Sequence, residues 1–195
     1  MSDKVLYRGK LFQILSRSKE SRIQVDGEEV SKNLTFELVR RPPGVRAIIQ
    51  RDGKVMLNKE YRYEIEDWDY RLPGGKVFDR LEDFEKAVED SKVEEGIYGK
   101  LAEEVCEEAD IKVKDFRLFG ISGCGMTVEW DLYYFVIEDF EILPSFYSGK
   151  KQKSEYEYIS HQWVGFDEIK KLILSGKFRE DRSISMLCKY MWENE

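Results

Sequence analysis

The hydrophobic positions of the first forty residues fall in runs that predict strands. Leu6 to Leu15 and Asn33 to Val39 carry β-branched, aromatic and aliphatic residues, and Asp26-Gly27 between them is a turn signal. Arg41-Pro42-Pro43-Gly44 interrupts the pattern, because a residue before proline is biased away from the helical region. It marks a boundary between an N-terminal sheet, residues 1–42, and a main body, residues 43–195. Val45 to Gln50 and Lys54 to Glu60 flank Asp52-Gly53, the strongest short-range hairpin signal in the chain. Tyr70 to Leu72 predicts a short strand running into Pro73-Gly74-Gly75, a loop that needs permissive backbone.

The period then changes. Phe84, Ala87 and Val88 stand at i, i+3 and i+4, which allows a short amphipathic helix, and Leu101, Val105 and Ala109 form the apolar stripe of a firmer helix from Lys100. Phe116 to Phe119 and Trp130 to Ile137 read as strands joined by a glycine-bearing loop, Ser122 to Glu129. Tyr158 to Phe166 is a further strand, followed by helices over Asp167 to Ser175, closed by Gly176, and Ser183 to Trp192. Strands, a helix, more strands and terminal helices predict an α+β chain with helices packed on a mixed sheet.

Composition narrows the class. Of 195 residues, 42% are hydrophobic and 13% aromatic, which is enough for a core and excludes wholesale disorder. No run approaches the ~18 apolar residues that span a bilayer, so no membrane partner is expected. Cys106, Cys124 and Cys188 are odd in number and lack CxxC spacing, which indicates neither a disulfide framework nor a zinc site. With no apolar segment behind Met1, a reduced, cytoplasmic, soluble protein is expected.

The net charge of −7 is unevenly spread: Glu82 to Asp110 holds twelve acidic residues against three lysines. Nothing in that balance suits a nucleic-acid backbone. The segment Leu101 to Ile111 is the informative part. On a helix, Glu104, Glu107 and Glu108 stand at i, i+3 and i+4 and project from one face. Like charges at that spacing cost ~0.2–0.5 kcal/mol each on an exposed helix. A solvated acidic face tolerates that cost; a hard divalent cation, which takes oxygen ligands, reverses its sign.

This stretch resembles the signature of the Nudix hydrolases, Gly-x5-Glu-x7-Arg-Glu-U-x-Glu-Glu-x-Gly-U with U aliphatic. Glu95, Glu104, Val105, Glu107, Glu108 and Ile111 match in register, and Gly75 supplies the opening glycine. There are three departures: 14 extra residues between Gly75 and Glu95, Glu103 at the signature arginine, and Asp110 at the closing glycine. Asp tolerates the left-handed backbone of a helix C-cap, so the last departure is mild. Glu103 adds a carboxylate where the family has a guanidinium, and Lys76, Lys92 and Lys100 are the candidates to supply the missing charge.

Much of the chain is similar to the ADP-ribose pyrophosphatase branch of that family. Leu6 to Phe12 with Phe36 to Arg41 resembles its N-terminal sheet, Asn58 to Tyr63 its strand ending in a substrate-contacting arginine, and Ser122 to Glu129 its glycine loop closing on a glutamate. Lys153 to Ile159 resembles its acidic loop. The resemblance implies an αβα sandwich around a mixed sheet, with residues 1–42 an antiparallel dimerisation sheet and residues 43–195 the hydrolase domain. It implies that Glu104, Glu107 and Glu108, with the Gly74 carbonyl, hold magnesium or manganese. Arg62, with Arg40 or Arg41, would clamp phosphate or the terminal sugar, and Glu129 would contact ribose. Glu157 first, or Glu155, would activate the attacking water. The implied substrate is a nucleotide-sugar, ADP-ribose before a UDP- or GDP-sugar or a dinucleoside polyphosphate. Glu103 and the insertion leave open a Nudix-fold binding module that has lost catalysis. His161, the only histidine, is assigned a structural role.

Overall fold

The structure, a computed structural model, describes residues 2–144 and 158–194. Its elements are β1 (Ser2–Arg8), β2 (Gln13–Val25), β3 (Glu28–Arg40), β4 (Gly44–Arg51), β5 (Lys54–Arg62), β6 (Asp67–Arg71), α1 (Leu81–Glu89), α2 (Val93–Ala109), β7 (Ile111–Ser122), β8 (Val128–Glu129), β9 (Leu132–Ile142), β10 (Ile159–Gly165), α3 (Phe166–Leu174) and α4 (Asp181–Glu193). Among the described residues no helix is long and apolar enough to cross a membrane.

β1, β2 and β3 form an antiparallel meander, and β8 adds to it in parallel beside Val39 and Arg40. The β2–β3 turn closes at Asp26 and Gly27, with φ of 52° and 85°, the positive values that such a turn demands. The run Leu6 to Leu15 is two strands rather than one: the chain reverses at residues 9–12, where the Gly9 N–H donates to the Phe12 carbonyl at 2.9 Å.

The second sheet has the order β10-β5-β4-β9-β7, with β6 paired to β5. β4 and β9 run parallel and their other pairings are antiparallel, so the sheet is mixed. Because side chains alternate along a strand, β4 feeds two apolar layers. Ile48 joins Leu57, Tyr134, Ile169, Leu187 and Tyr190 under α3 and α4. Ala47 and Ile49 join Phe135, Ile97, Leu101 and Val105 under α2. Helices thus cover both faces of a mixed sheet, the αβα arrangement.

α2 begins at Val93, earlier than its apolar stripe suggests, and stops at Asp110, whose φ of 52° and ψ of 41° are left-handed. The aspartate therefore performs the glycine's conformational task. On the opposite face, buried Arg46 of β4 donates to both oxygens of Glu180, just ahead of α4, at 2.9 and 2.8 Å. Burial pushes the Glu180 carboxyl up, but the hydrogen bonds and charge of Arg46 outweigh it and hold it down at about 2.

A depressed carboxylate pKa adds stability that is present above the unfolded value and is lost as pH falls through the folded one. Removing one partner of a buried pair costs ~3–5 kcal/mol. Glu180→Gln should therefore lower the unfolding free energy at pH 7 by about 3 kcal/mol. The wild type should lose a similar amount between its ordinary carboxylate pKa of 4.5 and about 2. Denaturant unfolding across that range checks both, and a variant as stable as wild type at pH 7 would refute the role.

Candidate active site

The loop after β6 lies flat on the edge of β4. Pro73 accepts from the Ala47 N–H at 2.8 Å, and Gly75 accepts from the Val45 N–H at 2.9 Å. Gly74 has φ of 139°, and a Cβ there would stand 2.2 Å from the Val45 carbonyl oxygen, so only glycine fits without displacing backbone. A Cβ on Gly75 would meet Glu104 Oε1 at 2.3 Å. Two glycines thus bring the loop backbone against the acidic face of α2.

Glu108 is where loop, sheet and helix meet. Its Oε2 accepts from the Gly74 N–H at 2.9 Å and from Asn58 Nδ2 of β5 at 2.8 Å. Burial pushes its carboxyl up to about 8; the Gly74 hydrogen bond opposes that, and the charge of Glu104 adds to it. Lys100, one turn before Glu104, reaches Glu104 at 3.0 Å and Glu103 at 3.2 Å. Of the three lysines suggested by sequence, Lys100 is the one paired to the cluster, whereas Lys76 pairs with Asp79 at 2.9 Å. Glu103 is therefore drawn into an ion pair at the place where a guanidinium is expected.

Glu104, Glu107 and Glu108 line one cavity of about 810 Å³, together with Gly74, Arg41 and Arg62. Among the described residues no three Asp, Glu, His or Cys side chains stand together as a formed cation cage. The donor set nonetheless fits a hard divalent ion: Glu108 is a desolvated carboxyl group beside a second one, and buried Asn58 Oδ1 has no hydrogen-bond partner among the described residues.

The other sequence candidates divide. Arg62 lies in the cavity, bound to Glu60 and Glu64 at 2.7 Å each. Arg40 and Glu129 bind each other at 2.6 Å, and Glu129 also takes Arg17 at 2.5 Å. That network borders a second cavity of about 490 Å³, and Arg41 borders both. Glu155 and Glu157 lie outside the described residues. Tyr61 and Trp68 pack edge to face at 5.5 Å, and His161 sits exposed on β10 opposite Asn58. Sequence reasoning missed Asn58, Arg46, Trp130 and Arg182. Only the long-range pairing of strands and helices shows that Asn58, Arg46 and Trp130 border the site and that Arg182 lies over the Trp130 ring.

The fold is similar over its whole length to a solved structure titled as the crystal structure of an ADP compounds hydrolase. The TM-score is 0.61 at 15% identity, covering 100% of this chain and 96% of that one. No family model matches the chain, and no curated protein matches it in sequence. At that identity the likeness is one of fold, and the fold is Nudix-like.

The two loop glycines predict separable effects. Gly75→Ala displaces the end of a flexible side chain, so thermal stability should stay near wild type while Glu104 is moved off the loop. Gly74→Ala collides with backbone at positive φ and should cost at least ~2 kcal/mol. Equal stabilities for the two variants, measured by urea unfolding, would contradict this geometry.

Proposed function

We propose that the chain is a Nudix-type hydrolase that cleaves the pyrophosphate of a nucleoside diphosphate joined to another group, with ADP-ribose the leading substrate and AMP and ribose 5-phosphate the products. The observation that carries this reading is the convergence of Glu104, Glu107 and Glu108, the Gly74-Gly75 loop and Arg62 on one cavity. The fold likeness to an ADP compounds hydrolase supports it.

Glu104, Glu107 and Glu108, with the Gly74 carbonyl, would hold magnesium or manganese. Bound there, the ion would neutralise charge developing on the leaving phosphate and acidify water. The chain's own groups do the rest. Gly74 N–H and Asn58 fix Glu108, and Lys100 holds Glu104 on the same side of α2. Arg62 offers its guanidinium to the phosphates in exchange for Glu60 and Glu64. A carboxylate from the acidic loop, Glu157 before Glu155, takes the proton of the attacking water.

A release assay for AMP with ADP-ribose and a magnesium titration tests the reading. Glu107→Gln combined with Glu108→Gln should lower turnover by at least ~100-fold without unfolding the chain. Full activity in that double variant would overturn the assignment. Binding of ADP-ribose with no turnover at any magnesium concentration would instead favour the non-catalytic module.

The same reading includes a homodimer. Val5, Leu6, Tyr7, Phe12 and Phe36 of the N-terminal strands and turn are each at least 43% exposed, more apolar surface than a small sheet leaves in water. Sedimentation at micromolar concentration should give twice the 23.1 kDa chain mass. A single 23.1 kDa species would rule the dimer out.

A further inference from the structure

Among the described residues five cationic side chains border the cavity that contains Glu104, Glu107 and Glu108, and four are matched by a carboxylate. Arg46 is held by Glu180 at 2.8 Å, Arg62 by Glu60 at 2.7 Å, Arg71 by Asp69 at 2.8 Å and Lys76 by Asp79 at 2.9 Å. The fifth, Arg41, has no carboxylate partner among the described residues. Its guanidinium lies over the Trp130 ring, 4.1 Å from the centroid. A second guanidinium, Arg182 of α4, lies over the same ring at 4.7 Å. Arg182 is held by the carbonyls of Ser122 and Trp130, again without a carboxylate.

This cluster is short of acceptors. Arg41 Nε, Trp130 Nε1 and Arg182 Nη1 are all buried with no hydrogen-bond partner among the described residues, and leaving a buried donor unmatched is costly. Burial first, and then the neighbouring charges of Arg182 and Arg46, push the Arg41 guanidinium below its ordinary pKa. The adjacent carboxylate Glu129 is already taken by Arg17 and Arg40. Trp130 is engaged by two guanidiniums, which disfavours it as a stacking platform for a base. Two charges and several divergent N–H donors suit a tetrahedral dianion better than a planar carboxylate.

We propose that Arg41 and Trp130 form a phosphate subsite in the same cavity as the three glutamates, with Arg182 held against the same indole ring outside the cavity lining. The subsite rests on the hydrolase reading only for its consequence: the preferred substrate carries a phosphate beyond the pyrophosphate, on the group joined to the nucleoside diphosphate. Arg41 is the contact that closes on this phosphate, and Trp130 and Arg182 position it.

The binding test needs no turnover. The full-length, metal-free chain is titrated with inorganic phosphate, and with potassium chloride at matched ionic strength, while the indole N–H resonances are followed. The chain has four tryptophans, and Trp130→Phe identifies the resonance concerned. Phosphate should move the Trp130 indole saturably and chloride should not. Arg41→Met should weaken phosphate binding by about tenfold or more, the effect of one charged hydrogen bond, with Arg41→Lys recovering part of it. An indole that responds equally to chloride, or unchanged phosphate affinity in Arg41→Met, overturns the subsite. In the substrate arm, the kcat/KM ratio for ADP-ribose phosphorylated on its terminal ribose over ADP-ribose should exceed one and collapse in Arg41→Met. A ratio of one in the wild type overturns the substrate preference. Absence of all hydrolysis overturns the hydrolase reading and leaves the phosphate titration to decide the subsite.

Discussion

A carboxylate withdrawn from water must find compensation, and the site is arranged around one that finds only part of it. Glu108 is buried between α2, β5 and the loop after β6, where the Gly74 N–H and Asn58 reach it but no cation among the described residues pairs with it. Its carboxyl is pushed up to about 8 as a result. The close approach of the loop depends on Gly74 and Gly75, and the loop in turn is clamped to β4, the central strand whose two faces feed the two apolar layers. Core packing therefore holds three carboxyl groups together on one cavity wall, with Lys100 the cation that the described residues set beside them. Such an arrangement makes physical sense where a divalent cation completes it.

The positive charge in this region is distributed by the same logic. Arg46 is spent on Glu180, and the pair ties the start of α4 to the sheet at the cavity wall. Lys100 is spent on Glu103 and Glu104, which sets one cation on the acidic face of α2. Arg40 is spent on Glu129, and that bond joins the N-terminal sheet to β8. Arg41, the next residue, is left against Trp130. Two adjacent arginines with identical side chains thus do different work: Arg40, the last residue of β3, pairs with Glu129, and Arg41, just past the strand, lies over Trp130.

Local signals in the sequence were read well where a single residue type dictates backbone. The two Asp-Gly turns, the Gly74-Gly75 loop and the left-handed Asp110 all follow from φ values that few residues adopt. The helical spacing of Glu104, Glu107 and Glu108 likewise placed three carboxylates in one cavity. Pairing across the chain was much less legible. Nothing near Glu180 in sequence points to Arg46, and nothing near Trp130 points to Arg182, since these contacts arise only when β4, β9 and α4 are brought together. The ion pair between Glu129 and Arg40 was equally illegible, because it forms only where β8 lies beside the end of β3.

Calorimetric titration of manganese into the chain at pH 7, in two buffers of different ionisation enthalpy, tests the central claim most directly. A carboxyl with a pKa of about 8 is largely protonated at that pH and must release its proton to bind a cation. The burial of Glu108 therefore predicts that close to one proton leaves per ion bound, and that Glu108→Gln abolishes the release. Binding with no proton release, or release that survives Glu108→Gln, would contradict the account of Glu108 as the buried carboxylate at the centre of this site.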